Sequence, residues 1–358
     1  MIVYKELSSL TNDLGVSAKA LYSLSNHIHS HYYQTKILKK NGYNILFVSW
    51  DDGDLKEYLL KESISYIIDS KLQICTYEEI TWVHKFNKII CNTLNYYYFL
   101  SKRDEQKKIV WWLHDPEMFY KSLDMKVLHS MAIKNLYAYA VGRISEEAIK
   151  VYKSHIQVEQ LVYGIPDYQN LNDKKRINPK LEFITIGNIQ EYKGQDILIS
   201  AIKKIPKSYY GVIHFTILGN QQSLFAARLK EEAEEIKDIV NFHAPLGREG
   251  IHEILEKSNV LICPSRVDTM SIVTTEAMMH GIPCIVSKAA GIAAYIKDEY
   301  NGILIPSEDI DYLAKKIIWC IENQKELSQI GENARKIYED YFSMDVFEKN
   351  VLKMLEDV

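Results

Sequence analysis

The sequence predicts an α/β protein of two doubly wound domains, each a mostly parallel sheet covered by helices on both faces. Three observations carry this. The 358 residues exceed what one core comfortably fills and suit two domains of about 150 to 200 residues each. Short apolar runs of strand length alternate with amphipathic helical stretches almost throughout, as in parallel strands joined by crossover helices. The alternation halts at Tyr163-Gly-Ile-Pro-Asp167 and a polar stretch reaching Lys180, then restarts.

In the first domain, 1–164, strands are predicted at 2–4, 44–49, 65–68, 109–113, 137–141 and 159–162. Helical spacing lies between them, notably over 79–100 and 145–153. Residues 10–24 look like helix, turn, helix. The simpler reading makes Ser17 the cap of a helix from Ala18 to about Lys40, with Asn41-Gly42 turning into the next strand. His27, His29 and His31 are two apart, so one helix cannot gather them on a single face, and a metal site is not expected there. A linker is predicted over 165–180.

The second domain, 181–340, shows the alternation more sharply. Strands are predicted at 182–186, 213–218, 240–242, 260–263, 284–287 and 303–305, with helices at 195–204, 224–235, 250–257 and 275–280. Ser307 is placed to cap a helix over 309–322, with Glu308 and Asp309 at its positive end. Helices at 327–338 and 344–355 close the chain, the terminal segment 341–358 being expected to cross back to the first domain.

Composition excludes some functions. A net charge of -4 with 25% charged residues argues against a nucleic-acid binder, which is normally strongly basic. Cys75, Cys91, Cys263, Cys284 and Cys320 are odd in number and lack C-x-x-C spacing, so they read as small buried hydrophobes. No signal peptide opens the sequence, and no apolar run approaches the ~20 residues that span a bilayer. A cytoplasmic protein is expected, with a peripheral membrane contact left open. Lys102, Arg103, Lys107 and Lys108 form a basic run that suits anionic lipid heads or simply a solvated face.

Three segments carry chemistry. In Cys263-Pro-Ser-Arg-Val-Asp268-Thr-Met-Ser-Ile-Val-Thr-Thr-Glu276, a strand ends at a polar loop and a helix follows, the place where ligands bind in open α/β sheets. Glu276 reads as the start of that helix, where a carboxylate is favoured and can accept two hydrogen bonds from a vicinal diol. An ordinary N-terminal glutamate is the plain alternative. Backbone N–H groups of Thr269, Met270 and Ser271 could face phosphate oxygens or sugar hydroxyls. In the second segment a strand ends at Gly187-Asn188, and Lys193-Gly194 precedes a helix, so Lys193 is placed for a diphosphate. No Walker P-loop is present. In the third, the apolar strand Val110-Trp-Trp-Leu ends at His114-Asp115-Pro116, and His114 either positions a hydroxyl or is structural.

Together these segments resemble the retaining glycosyltransferases of family 4, with the GT-B fold. The resemblance runs from about Asn44 to the C-terminus and is strongest over 181–304. That family carries Glu-x7-Glu after Pro-Ser. Here Pro264-Ser265 is followed by Asp268, seven residues and Glu276-Ala277, with Gly281-Ile-Pro283 and Asn301-Gly302-Ile-Leu304 in order behind it. Tyr163-Gly-Ile-Pro166 resembles the family's interdomain hinge. The resemblance implies two Rossmann-like domains facing a cleft and transfer of a glycosyl group with retention, without a metal or other cofactor. The donor would be a UDP-, GDP- or dTDP-linked sugar, and the acceptor a glycan, lipid-linked glycan or glycoprotein, as in bacterial surface polysaccharide or glycoprotein synthesis. Glu276 would bind the ribose and Lys193 the diphosphate. Asp268 and the backbone of Thr269, Met270 and Ser271 would hold the sugar, and His114 would reach it from the first domain.

The chain departs from that family at three places. Asp268 is one methylene shorter than the usual glutamate. Asn188 replaces an arginine that contacts the diphosphate, leaving that charge to Lys193 with Arg248 or Arg266. A glycine-rich turn after the first strand is lacking, only Gly15 being available. These departures keep a second reading in view, a non-catalytic GT-B partner subunit of a glycosyltransferase complex. A GT-B epimerase or phosphorylase is weaker, since no phosphate site or cofactor lysine for the latter is evident. Homo- or hetero-oligomers fit either main reading, and no nucleic-acid partner is expected.

Overall fold

The structure, a computed structural model, describes residues 2–3, 26–50, 55–86, 88–168, 180–356 and 358. It divides into two compact units. Among the described residues, one comprises 2–3, 26–164 and 344–358, and the other 165–343. Gly15, Ser17, the helix-turn-helix reading of 10–24 and most of the expected linker lie outside the described residues, as do the side chains of His27 and His29.

The first unit is built on a parallel seven-stranded sheet in the order β3-β2-β1-β4-β5-β6-β7. Its strands are β1 (Ile2–Val3), β2 (Leu46–Ser49), β3 (Ser65–Ile68), β4 (Ile89–Asn92), β5 (Ile109–Leu113), β6 (Leu136–Ala140) and β7 (Val158–Gln160). Every residue of β5 is buried, which is why it reads as an unbroken apolar run instead of an alternation. Its two tryptophans satisfy their indole N–H groups on backbone carbonyls, Trp111 on Thr93 at 2.8 Å and Trp112 on Leu161 at 2.9 Å.

The expected helix over 79–100 is a misreading. Tight 3-10 turns at Tyr77–Glu79 and Thr81–Lys85 lead into β4, and only Tyr97–Leu100 is α-helical. Four successive buried positions in β4 have no period of two, so their apolar spacing merges with that of the flanking turns. The helix predicted from Ala18 is described over Asn26–Lys40, and that at 145–153 over Arg143–Tyr152. The helix Met344–Glu356 belongs to this unit.

The second unit holds a parallel six-stranded sheet in the order β10-β9-β8-β11-β12-β13. Its strands are β8 (Leu181–Ile186), β9 (Ile213–Leu218), β10 (Val240–His243), β11 (Val260–Cys263), β12 (Cys284–Ser287) and β13 (Ile303–Ile305). Phe183 on β8 stacks on Phe215 of β9, ring centres 4.8 Å apart, in a core closed by Leu198, Ile202, Leu313 and Ile317. The strand order runs outward both ways from the β8/β11 pair, so the chain reverses direction across the sheet there. Strand carboxyl ends beside such a reversal diverge and leave a crevice.

Two helix starts differ from expectation. The helix after β11 spans Ile272–Met279, so Glu276 lies in its second turn and not at its beginning. At the helix Ile310–Glu322 the cap is Asp309, whose carboxylate accepts the Tyr312 N–H at 2.8 Å, in place of Ser307.

Candidate functional site

The site forms where β8 and β11 end side by side. After β8 the Gly187 N–H still donates to Leu218 O at 2.9 Å. A tight turn, Glu191–Lys193, then delivers Gly194 in the left-handed region, φ +71°, as the entry to the helix Gln195–Lys203. A Cβ on Gly194 would stand 2.2 Å from the carbonyl oxygen of Pro264, so only glycine lets the two loops meet backbone to backbone. The loop after β11 is fastened again by Arg266 N–H to Tyr192 O at 2.8 Å. On its far side Gly291 N–H donates to Asp268 O at 2.7 Å, and a Cβ on Gly291 would lie 2.0 Å from Thr269 O.

This construction brings Lys193 and Asp268 together, Nζ to Oδ2 at 2.8 Å, with the lysine side chain a quarter exposed. They line a small pocket with Thr185, Gln195, Pro264, Ser265 and Ser271. Burial alone lowers the pKa of Lys193, but the charge of Asp268, the neighbouring Tyr192 and the Asp268 hydrogen bond together outweigh it and hold the ammonium above the ordinary lysine value. The lysine is therefore a permanent cation. Thr269, Met270 and Ser271 follow, all buried, and their backbone N–H groups find no acceptor among the described residues. Ser271 precedes the helix Ile272–Met279, so these donors add to the unpaired N–H groups and positive end of that helix. The Ser271 hydroxyl is held by Thr274 at 2.8 Å.

Glu276 is not among the residues lining that pocket. It is fully buried and pairs with Arg248 on the helix Arg248–Glu256, Nη2 to Oε1 at 2.6 Å. Burial holds the pKa of its carboxyl above the ordinary glutamate value, and the charge of Arg248 offsets that only in part. One turn further along both helices, His252 Nδ1 meets His280 Nε2 at 3.1 Å. Desolvation first, then His280 and Arg248, push His252 down to about 3, so that imidazole is neutral.

Arg266 has several partners of its own. It does not present its charge to the pocket but clamps loops. Its guanidinium holds Asp196 in a two-pronged pair at 2.9 and 2.7 Å, Glu308 at 2.8 Å and the Glu191 carbonyl at 2.5 Å. Asn188 is also buried, its carbonyl accepting from Gln195 Nε2 at 3.0 Å. Gln195 and Ser265, which line the pocket, were not among the site residues expected from sequence. The only signal for Gln195 was its place directly after Lys193-Gly194.

His114 directly follows β5. It lies in the first unit, 1% exposed, with Nδ1 against the Tyr163 hydroxyl at 2.6 Å and Nε2 against Asn92 Oδ1. The Asn92 amide reaches on to His31, and Tyr163 stacks on the His114 ring. Both nitrogens are thus engaged in a buried polar chain within that unit. The basic run at 102–108 is likewise not one patch. Arg103 is buried and spends its guanidinium on the carbonyls of Ala132 and Lys134. Among the described residues no group of acids, histidines and cysteines is arranged to hold a metal, and no helix is long and apolar enough to cross a membrane.

Comparison with known proteins agrees with this geometry. Residues 167–337, just under half of the chain, match the family described as Glycosyl transferases group 1. Two uncharacterized glycosyltransferases of Methanocaldococcus jannaschii are similar in sequence. One is 28% identical, covering 48% of this chain and 47% of its own, and the other is 24% identical, covering 72% and 65%. The chain thus spans less than two thirds of the length of these curated relatives. Among solved structures, HepE of Anabaena in complex with UDP superposes with a TM-score of 0.81 at 17% identity over 100% of both chains. A glycosyltransferase of Rickettsia africae gives a TM-score of 0.74 at 16% identity, covering 99% of this chain and 97% of its own. The chain shares the GT-B fold of these structures, two Rossmann-like units, and most of its second unit is similar in sequence to the group 1 glycosyl transferases.

Proposed function

We propose that this chain is a retaining glycosyltransferase. It moves a hexosyl or related group from a nucleotide sugar to a glycan, lipid-linked glycan or glycoprotein acceptor. The observation that carries the proposal is the Lys193–Asp268 pair, set at the strand reversal beside a row of unclaimed backbone N–H groups. A fixed cation and several fixed N–H dipoles in a partly dry crevice are what a departing diphosphate requires. The nearby carboxylate suits the hydroxyls of the transferred sugar. Binding of UDP, and of UDP-glucose in a second complex, by HepE supports a nucleotide sugar as the donor class.

In the structure Asp268 is the partner of Lys193. Donor binding exchanges that partner, with the diphosphate taking Lys193 and Asp268 turning to a sugar hydroxyl. The exchange leaves Lys193 paired and Asp268 hydrogen-bonded, so neither charge is stranded without a partner. As the anomeric C–O bond breaks, negative charge grows on the diphosphate, where Lys193 and the N–H groups strengthen their hold. That differential stabilisation is the catalytic effect. The departing phosphate oxygen takes the acceptor's proton on the face it leaves, giving retention without a protein base. No metal is required, because the positive potential comes from the protein.

The test is incubation with UDP-, GDP- and dTDP-sugars, following release of nucleoside diphosphate and the anomeric configuration of the product. Turnover of one donor with retained configuration supports the proposal, and inversion ends it. The pairing of Lys193, Arg248 and Arg266 with carboxylates gives the partner-subunit reading a physical basis. Donor binding with turnover only after a second chain is added would establish that reading instead.

A further inference from the structure

Gln195 opens the helix Gln195–Lys203 directly after Lys193-Gly194, and the transfer chemistry above makes no use of its side chain. That side chain is buried, the residue being 1% exposed, and it lines the same pocket as Lys193 and Asp268. Its amide has a fixed sense. Nε2 donates to the Asn188 carbonyl at 3.0 Å, and no donor among the described residues bonds Oε1. Two polar neighbours in the pocket are committed elsewhere. Thr185 gives its hydroxyl proton to Ile262 O at 2.9 Å, and Lys193 is turned to Asp268. A buried amide oxygen with no donor is costly to maintain, and here it faces a pocket.

The chemistry of a partner follows from the atom. Oε1 is partly negative and only accepts, so it repels a phosphate oxygen and suits an O–H group. The diphosphate assigned to Lys193 is therefore not what meets Gln195. The sugar attached to that diphosphate is the part of the donor that brings hydroxyls beside it. We propose that Gln195 is a specificity-determining residue whose Oε1 accepts a hydrogen bond from one hydroxyl of the transferred sugar, a hydroxyl other than the one turned to Asp268. The pocket then reads the sugar through two acceptors, one neutral and one charged. A donor sugar lacking the hydroxyl that meets Gln195 is discriminated against, because Oε1 stays unpaired. This rests on the sugar-nucleotide reading above and narrows it. The main chain keeps the two acceptors in register. A Cβ at Gly194 would overlap Pro264 O, so the start of the helix lies directly against the loop that carries Asp268. Acceptors held in place discriminate where mobile ones would adapt.

The experiment is calorimetric titration of the full chain, without acceptor, with UDP-glucose, UDP-galactose, UDP-N-acetylglucosamine and GDP-mannose. The monodeoxyfluoro analogues of whichever binds best follow. Fluorine is close to a hydroxyl in size but donates no proton. In the unaltered chain, fluorine at the position that meets Gln195 should weaken binding at least about tenfold. Gln195→Met should lose the preference at that position and keep any other. Gln195→Asn keeps the amide but withdraws it by one methylene, and it should behave the same way if the Met variant fails to fold. Thermal unfolding checks each variant. If Gln195 only braces the Asn188 carbonyl, the folded variants weaken every member of the series in equal proportion, and the assignment is overturned. A series that is flat in the unaltered chain, as when a water or an acceptor hydroxyl meets Oε1, also overturns it while the sugar-nucleotide reading stands. If no nucleotide sugar binds, that reading falls and the role of Gln195 with it.

Discussion

The two units share a strand order and differ in what they do with it. Numbered from the first strand of each, both sheets run 3-2-1-4-5-6, the first with one strand more. In the second unit the reversal point opens on an ion pair, free N–H groups and a partly exposed lysine. In the first, the residues ending β4 and just after β5 close on themselves, Asn92 and His114 bonding to His31 and Tyr163 in a buried chain. Topology therefore decides where a site can be and leaves its chemistry to the side chains. A polar residue at a strand end stays within reach of a ligand where part of it still meets solvent, as Lys193 does and His114 does not.

Four measurements break or sharpen that contrast. The largest effect is expected from Lys193→Ala. With a donor sugar identified, transfer should fall by about a hundredfold to a thousandfold, as for loss of one fixed transition-state donor, while thermal unfolding stays cooperative. Near-normal turnover would place the active charge elsewhere.

Next, the glycines distinguish the units. Gly194→Ala combines a left-handed backbone with a Cβ overlapping Pro264 O and should cost about 3 kcal/mol in urea unfolding. Gly42→Ala in the first unit, at φ +84° with open space around it, should cost about 1 kcal/mol. Equal losses would show that the loop contact in the second unit yields easily.

His114→Phe follows, leaving Asn92 and Tyr163 short of a partner. A loss of about 2 kcal/mol is expected, visible in the fluorescence of Trp111 and Trp112 during denaturation. A change below about 0.5 kcal/mol would mean that the buried chain of the first unit is not structural.

The last concerns pH. His252 is pushed from 6.5 down to about 3, so the folded state resists a proton that the unfolded chain accepts. Its contribution is present above about pH 6.5 and is lost as pH falls toward 3, at up to about 1.4 kcal/mol per pH unit. His252→Gln should flatten the stability profile in that window, and an unchanged slope would assign the acid sensitivity to other groups.

Strands β9, β11, β12 and β13 stand at the residues expected from sequence because each is a short apolar run between turn residues. The ladder of Val260 to Cys263 between Asn259 and Pro264 is the clearest. β4 escaped because its apolar residues run on through Leu94, Tyr96, Phe99 and Leu100 with no turn residue such as glycine or proline to set the strand off. The start of the helix Ile272–Met279 was misplaced because its apolar positions also lack a boundary. Seven of its eight residues are buried, so no amphipathic stripe marks its beginning and the acid at Glu276 was taken for a helix start. The residue types of the site were legible, since Lys193 and Asp268 both follow strands that end in recognisable turns. Their pairing was not, and neither was the withdrawal of Arg266. Asp196 and Glu308 are 70 and 42 residues away from it in sequence, and no local pattern reports such neighbours.

The glycine contacts at Gly194 and Gly291 have a further consequence. The loop that carries Asp268 to Ser271 is located by main-chain atoms on both sides, Pro264 O against Gly194 and Thr269 O against Gly291. Side chains on that loop can therefore be exchanged without moving its frame. Under the glycosyltransferase reading proposed above, altering the sugar's fit at Asp268 or Met270 becomes a local change of surface inside a fixed mould, and donor preference should be open to redesign one side chain at a time, provided the two glycines are left alone.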